Sequence, residues 1–178
     1  MDPFDRFLRR SLDEALVSQG LLSREKADEL MAIAKDASEP ISVGLVEAGV
    51  LTAWDLAKTV SSTYQMPVHP LTGYRFDKDL FEGLPAGVLH RHLTVPLGVF
   101  GRTRTFAVVE PPTRDLLDEL QAVCGPSLFF FVSELPEVRQ ALRDHVKVVD
   151  SAADKGWQKL FDSAEEEVER DLSPRKPR

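Results

Sequence analysis

LDEALVSQGLLS at residues 12–23 and ISVGLVEAGVLT at residues 41–52 are two copies of one segment, in register at an offset of 29 residues. Each opens on an aliphatic residue (Leu12, Ile41) and carries an apolar pair (Leu16 and Val17, Leu45 and Val46). A glycine follows (Gly20, Gly49), then an apolar residue (Leu22, Leu51) and a hydroxyl residue (Ser23, Thr52). This is the pattern of a short amphipathic helix closed by a glycine, which takes the left-handed C′ conformation at little cost. Ser23 and Thr52 then read as N-caps of a second helix in each copy. Those second helices are predicted over Arg24–Lys35 and Ala53–Tyr64. Lys26 and Asp55 stand three residues after the caps, so neither cap makes a Glu/Gln capping box.

One helix pair cannot hide its own apolar face, whereas two stacked pairs can. Residues 1–65 therefore read as a duplicated helical unit of four helices, with Phe4 and Phe7 in an N-terminal extension. The pattern changes at Met66 and Pro67, and residues 66–147 read as a small α/β domain. Pro67, Pro70 and Gly73 mark a connector, with a short strand at Val68–Leu71 and a helix near Pro85–Arg91. Thr94–Phe100 and Thr103–Val109 form a hairpin about Gly101 and Arg102. Pro96 and Gly98 point to an edge position or a bulge in its first arm. Thr113 caps a helix with Leu116, Leu117, Leu120 and Val123 on one face. Ser127–Val132 is a strand, and Ser133 caps a last helix with Leu135, Val138 and Leu142 inward. The fold class is thus α+β: a tandem helix-pair repeat followed by a small two-layer β-β-α-β-α domain. Residues 148–178 are a charged tail, helical or disordered. Within it Trp157, Leu160, Phe161, Ala164, Val168 and Leu172 recur at helical spacing, among six acids between Asp162 and Asp171.

Composition narrows the function classes. The net charge of −7 and the lack of a concentrated basic face weigh against a nucleic-acid binder, which draws affinity from phosphate neutralisation. No apolar run approaches the roughly 18 residues needed to cross a bilayer. The opening MDPFDRFLRR has acids and no apolar signal region, so a cytoplasmic address is expected. Cys124 is the only cysteine, which rules out a disulfide within the chain and reads as a small buried apolar side chain.

Catalytic motifs are missing. There is no P-loop, nucleophile elbow, H-E-x-x-H pair or dinucleotide glycine fingerprint. His90 and His92 converge on one metal only on a strand, and a helix end is expected there, so no metal site is assigned. Adjacent carboxylates such as Asp118 and Glu119 diverge around a helix and cannot act as an acid–base pair. Arg102 and Arg104 read as a solvated hairpin tip. No catalytic residue is assigned, and the chain is expected not to be an enzyme.

The repeat, continued by LAKTVSSTYQMPVHPL at 56–71 and LPAGVLHRHLTVPLGVFGRTRTFAVVEPPT at 84–113, resembles the N-terminal domain of GspE-type secretion and pilus-assembly ATPases, the MshEN family. The likeness spans about residues 8–146, and the segment Arg91 to Gly98 supports it independently. The resemblance implies tandem motifs that form a cyclic di-GMP site, each contributing an opening arginine and glycine, an apolar skeleton and a closing glutamine. The implied skeleton is present as Leu12, Leu16, Val17, Gly20 and Leu22, then Ile41, Leu45, Val46, Gly49, Leu51 and Leu56. The polar determinants are replaced: the arginines by Ser11 and Pro40, the glycines by Asp13 and Ser42, the glutamines by Ala34 and Thr63. Arginine offers a planar fork for phosphate and a stacking face for guanine. Losing two charge-assisted contacts at about 1.5–3 kcal/mol each removes roughly two to four orders of magnitude in affinity.

No cofactor is therefore expected, and the resemblance transfers protein docking rather than ATP hydrolysis, since only a tail follows the domain. The expected function is a non-catalytic adaptor or regulatory protein of a secretion or pilus-type system. Its partner contacts are expected at Trp157, Leu160, Phe161, Val168 and Leu172. The alternative is a cyclic di-GMP receptor with a rewired site, in which Arg9 or Arg10 replaces the first arginine.

Overall fold

The two repeat copies close their first helices by the same hydrogen bonds. In α2 (Leu12–Ser18) the Gly20 N–H donates to Val17 O and the Leu21 N–H to Leu16 O, each at 3.0 Å. In α4 (Ile41–Glu47) the Gly49 N–H donates to Val46 O and the Val50 N–H to Leu45 O, again at 3.0 Å. Gly20 and Gly49 sit at φ of 71° and 68°, the left-handed region that the glycines were expected to supply. The caps follow suit. Ser23 Oγ accepts from the Lys26 N–H at 3.2 Å to start α3 (Arg24–Ala37), and Thr52 Oγ1 accepts from the Asp55 N–H at 3.0 Å to start α5 (Ala53–Tyr64). Ala15 and Gly44 hold equivalent repeat positions, and both are small. Ala15 is fully buried, and a Cβ on Gly44 would lie 3.3 Å from Leu30 Cδ2.

The structure, a computed structural model, describes residues 4–147. A short helix, α1 (Asp5–Leu8), precedes the repeat. After it come a 3-10 turn at Lys78–Phe81, α6 (Ala86–Arg91), the strands β1 (Thr94–Phe100) and β2 (Thr103–Val108), α7 (Arg114–Cys124), β3 (Leu128–Val132) and α8 (Leu135–His145). The sheet order is β1-β2-β3, with β1 and β2 antiparallel and β2 and β3 parallel. β1 is an edge strand, and its register slips between Pro96 and Gly98, where the missing proline N–H and the flexible glycine make a bulge least costly.

The helical repeat and the sheet share one apolar core. Phe106 and Phe130 point to the same face of the sheet, stacked at 5.9 Å, and Phe130 meets Phe4 and Phe7 edge-on at 6.2 and 6.1 Å. The N-terminal phenylalanines are thus core residues. On the opposite face an aromatic series runs from Phe131 through His69, Tyr74 and Phe76 to Phe81 and His145.

Three local expectations are corrected. The strand expected at Val68–Leu71 shrinks to one parallel bridge, Val68 to Val132, because Pro67 and Pro70 lack the N–H groups a longer ladder needs. Ser133 does not cap α8; its hydroxyl donates to His69 O, tying the connector to β3, and Glu134 occupies the cap position. Val123 is 47% exposed rather than buried with Leu116, Leu117 and Leu120, because it falls at the edge of that helix face, and Cys124 packs against the core in its place. The tail residues expected as partner contacts lie outside the described residues.

Candidate functional site

The N-termini of α2 and α4 open onto one cleft of about 840 Å³. Both helices pack on α3, which lies between the two copies in sequence and lines the cleft with them. The inner surface of the cleft is apolar, with Phe7, Leu12, Ile41, Pro111 and Pro112 among its buried lining residues. One wall is the Met31, Ala34 and Lys35 face of α3. The opposite side carries Arg91 and His92 from the end of α6, and Glu110 to Arg114 from the link between β2 and α7.

Glu110 is the central polar group. Its Oε2 accepts from the Ser42 N–H at 3.1 Å, and Ser42 is fully buried. Ser42 is the second residue of α4, whose cap position is Pro40, a residue with no side-chain acceptor. A carboxylate 68 residues away in sequence thus satisfies a helix N-terminus that its own cap leaves open. Glu110 touches the cleft on one side and is enclosed by protein on the others. That enclosure pushes its carboxyl above the usual carboxylate range, opposed by hydrogen bonding from Ser42 and reinforced by the charge of Asp13. Nearby, the Tyr64 hydroxyl donates to Arg10 O at 3.0 Å; burial first, then the Glu110 charge, push its pKa up to about 12. Burial and the adjacent Arg91 hold the His92 imidazole below its ordinary value.

Four of the six positions where the resemblance implies polar ligand contacts border this cleft. Ser11, Asp13, Ala34 and Pro40 line the cleft. Ser42 is taken up by Glu110, and Thr63 Oγ1 accepts from Gln19 Nε2 at 2.9 Å. Of the apolar skeleton, Leu12 and Ile41 border the cleft. Leu16, Leu22, Leu45 and Leu56 are buried in the core, and Val17, Val46 and Leu51 pack against it. Gly20 and Gly49 form the exposed turns. Arg9 does not line the cleft, whereas Arg10 does, with one guanidinium nitrogen on Ser18 Oγ at 3.0 Å.

Other candidates disperse. His90 Nε2 contacts Val146 O at 3.1 Å, and among the described residues no His, Cys, Asp and Glu group could hold a metal. Arg102 is exposed at the hairpin tip, but Arg104 turns back to Cys124, whose thiol burial pushes up and Arg104 pulls down. Glu110, Arg91 and Arg114 escaped sequence reasoning. The one local signal for Glu110 is an acid ending the apolar strand Phe106 to Val109, directly before two prolines.

A tandem helix-pair repeat docked on a three-stranded sheet, with a cleft at the paired helix ends, defines an α+β module of the kind found at the front of secretion ATPases. The MshEN domain family matches residues 64–152, half of the chain, and this protein belongs to that family. The match falls on the α/β part, whereas the resemblance was read mainly from the repeat. The type IV pilus assembly ATPase PilB of Myxococcus xanthus is 24% identical over 131 residues, which cover 74% of this chain and 23% of that protein. The chain therefore spans about a quarter of the length of the curated relative it matches. Among solved structures, MshE with cdg aligns at a TM-score of 0.56 and 19% identity, over 77% of this chain and 99% of that one. The N-terminal domain of XpsE aligns at 0.52 and 16%, over 75% and 96%. These likenesses establish the shared fold. Among the described residues no helix is long and apolar enough to cross a membrane.

Proposed function

We propose that this chain is a non-catalytic docking and regulatory module of a secretion or pilus-type machine, working in the cytoplasm through a protein partner, with the family's nucleotide site closed. One observation carries the reading: the Glu110 carboxylate already occupies the Ser42 N–H, the backbone donor at the second motif, while Asp13 adds an acid at the first. An anionic dinucleotide entering here meets two carboxylates where it needs donors, and no arginine at either motif opening. The tail residues Trp157, Leu160, Phe161, Val168 and Leu172 belong to the same reading as partner contacts, on their apolar spacing alone.

A second reading has its own support. Arg10 lines the cleft beside Ser11, so a rewired cyclic di-GMP site would draw on Arg10 instead of an arginine at position 11. Calorimetric titration of the purified chain with cyclic di-GMP at physiological salt separates the two. The docking reading expects no saturable heat up to high micromolar nucleotide. Saturable binding in the low micromolar range, lost in Arg10→Ala, would establish the receptor instead.

A further inference from the structure

The rim of the cleft differs in sign from the chain as a whole. Arg10, Lys35, Arg91 and Arg114 all line it and are all exposed, on a chain of net charge −7. The acids of the lining are engaged elsewhere. Asp13 lies 4.0 Å from Arg24, Glu39 lies 3.9 Å from Arg139, and Glu110 sits at the floor on Ser42. Arg91 shares its charge with Glu119, whereas Lys35 has no ion pair among the described residues. Cations at the mouth thus surround an apolar floor.

The shape is that of a groove. Its α3 wall runs from Met31 to Lys35, just over one turn of helix or about 6 Å, and continues into the Ser38 cap. Met31 is 43% exposed on that wall, and an unbranched, polarizable side chain adapts to a range of apolar partners. The buried Pro111 and Pro112 pair makes part of the inner surface stiff. An apolar floor with charges along both edges is the arrangement that receives one face of an amphipathic helix.

We propose that this cleft receives an acidic amphipathic helix of a partner protein. Its apolar residues, spaced at i, i+3, i+4 and i+7, seat between Met31 and the proline pair, and its carboxylates face Arg10, Lys35, Arg91 and Arg114. The assignment rests on the docking reading above and names the surface and the chemistry of the partner. It is compatible with a closed nucleotide site, because the rim cations engage charges at the mouth while Glu110 already holds the Ser42 N–H at the floor.

The test is fluorescence anisotropy of the full chain with two labelled synthetic helical peptides. Both carry Leu and Phe at i, i+3, i+4 and i+7; one has Glu and the other Lys at the flanking positions. The acidic peptide is expected to bind saturably in the micromolar range, more weakly as ionic strength rises, and the basic peptide not to bind. Lys35→Glu with Arg114→Glu, both at exposed positions, should weaken the acidic peptide by roughly tenfold or more and bring in the basic one. Met31→Asp should weaken both combinations. Failure of the acidic peptide to bind, or binding unmoved by the charge reversal and by Met31→Asp, overturns the assignment of the cleft. Cyclic di-GMP in the same assay keeps the two readings apart. Saturable nucleotide binding overturns the docking reading itself, whereas peptide failure without nucleotide binding overturns only the helix assignment.

Discussion

Removing the Glu110 carboxyl tests how the sheet end holds the second repeat in place. Glu110→Ala leaves the Ser42 N–H, inside a fully buried residue, without its acceptor. An unmet buried donor of this kind costs about 1–3 kcal/mol. At this chain length each kcal/mol moves the unfolding midpoint by about 2–4 °C, so a fall of several degrees is expected. Glu110→Gln keeps an oxygen of similar reach and removes the charge. Because enclosure raises the Glu110 pKa, the folded state holds its proton to higher pH than the unfolded chain does. Protonated Glu110 therefore favours the fold below about 4.5, and that contribution is lost as pH rises from 4.5 through the raised folded value. The glutamine variant escapes this loss, so its midpoint should gain on the parent as pH rises from about 4 to about 8. Circular dichroism melts of the three proteins across that range provide the assay. If Glu110→Gln falls as far as Glu110→Ala at every pH, the charge rather than the acceptor holds α4, and the reasoning fails.

Two further outcomes follow from the packing. Gly20→Ala and Gly49→Ala each place a Cβ in open space at positive φ, so each should cost about 1–2 kcal/mol from backbone conformation alone, and by similar amounts. Denaturant titration checks the symmetry, and a several-fold difference between them would show that the two turns are not equivalent. Phe130→Ala opens a hole beneath Phe4, Phe7 and Phe106 and should cost about 3–5 kcal/mol. Deleting residues 1–8 should lower the midpoint as well, and a truncated chain as stable as the parent would show that α1 is not part of the core.

The sequence by itself determined the elements whose partners lie within a turn or two of chain. Gly20 and Gly49, Ser23 and Thr52, the Pro96 and Gly98 irregularity and the Thr113 cap act on backbone groups only a few residues away, or across one hairpin, and each was legible as a residue type at a spacing. What tertiary structure alone decided has larger sequence separation. Ser133 has a cap's composition, but folding offered its hydroxyl the His69 carbonyl, 64 residues away. Val123 keeps a helical spacing to Leu116 and Leu120, yet the fold leaves it exposed and seats Cys124 against the core instead. Glu110 becomes the cap of α4, and Arg91 and Arg114 reach the rim of a cleft begun by residues 10–13, because β2 ends beside the second repeat. A sequence pattern records which side chains a segment wants buried, not which distant donor or acceptor the packed chain will set beside them. For the described residues, the repeat accounts for Leu12 and Ile41 in the cleft, whereas the fold brought Phe7, Pro111 and Pro112 beside them and decided its charge.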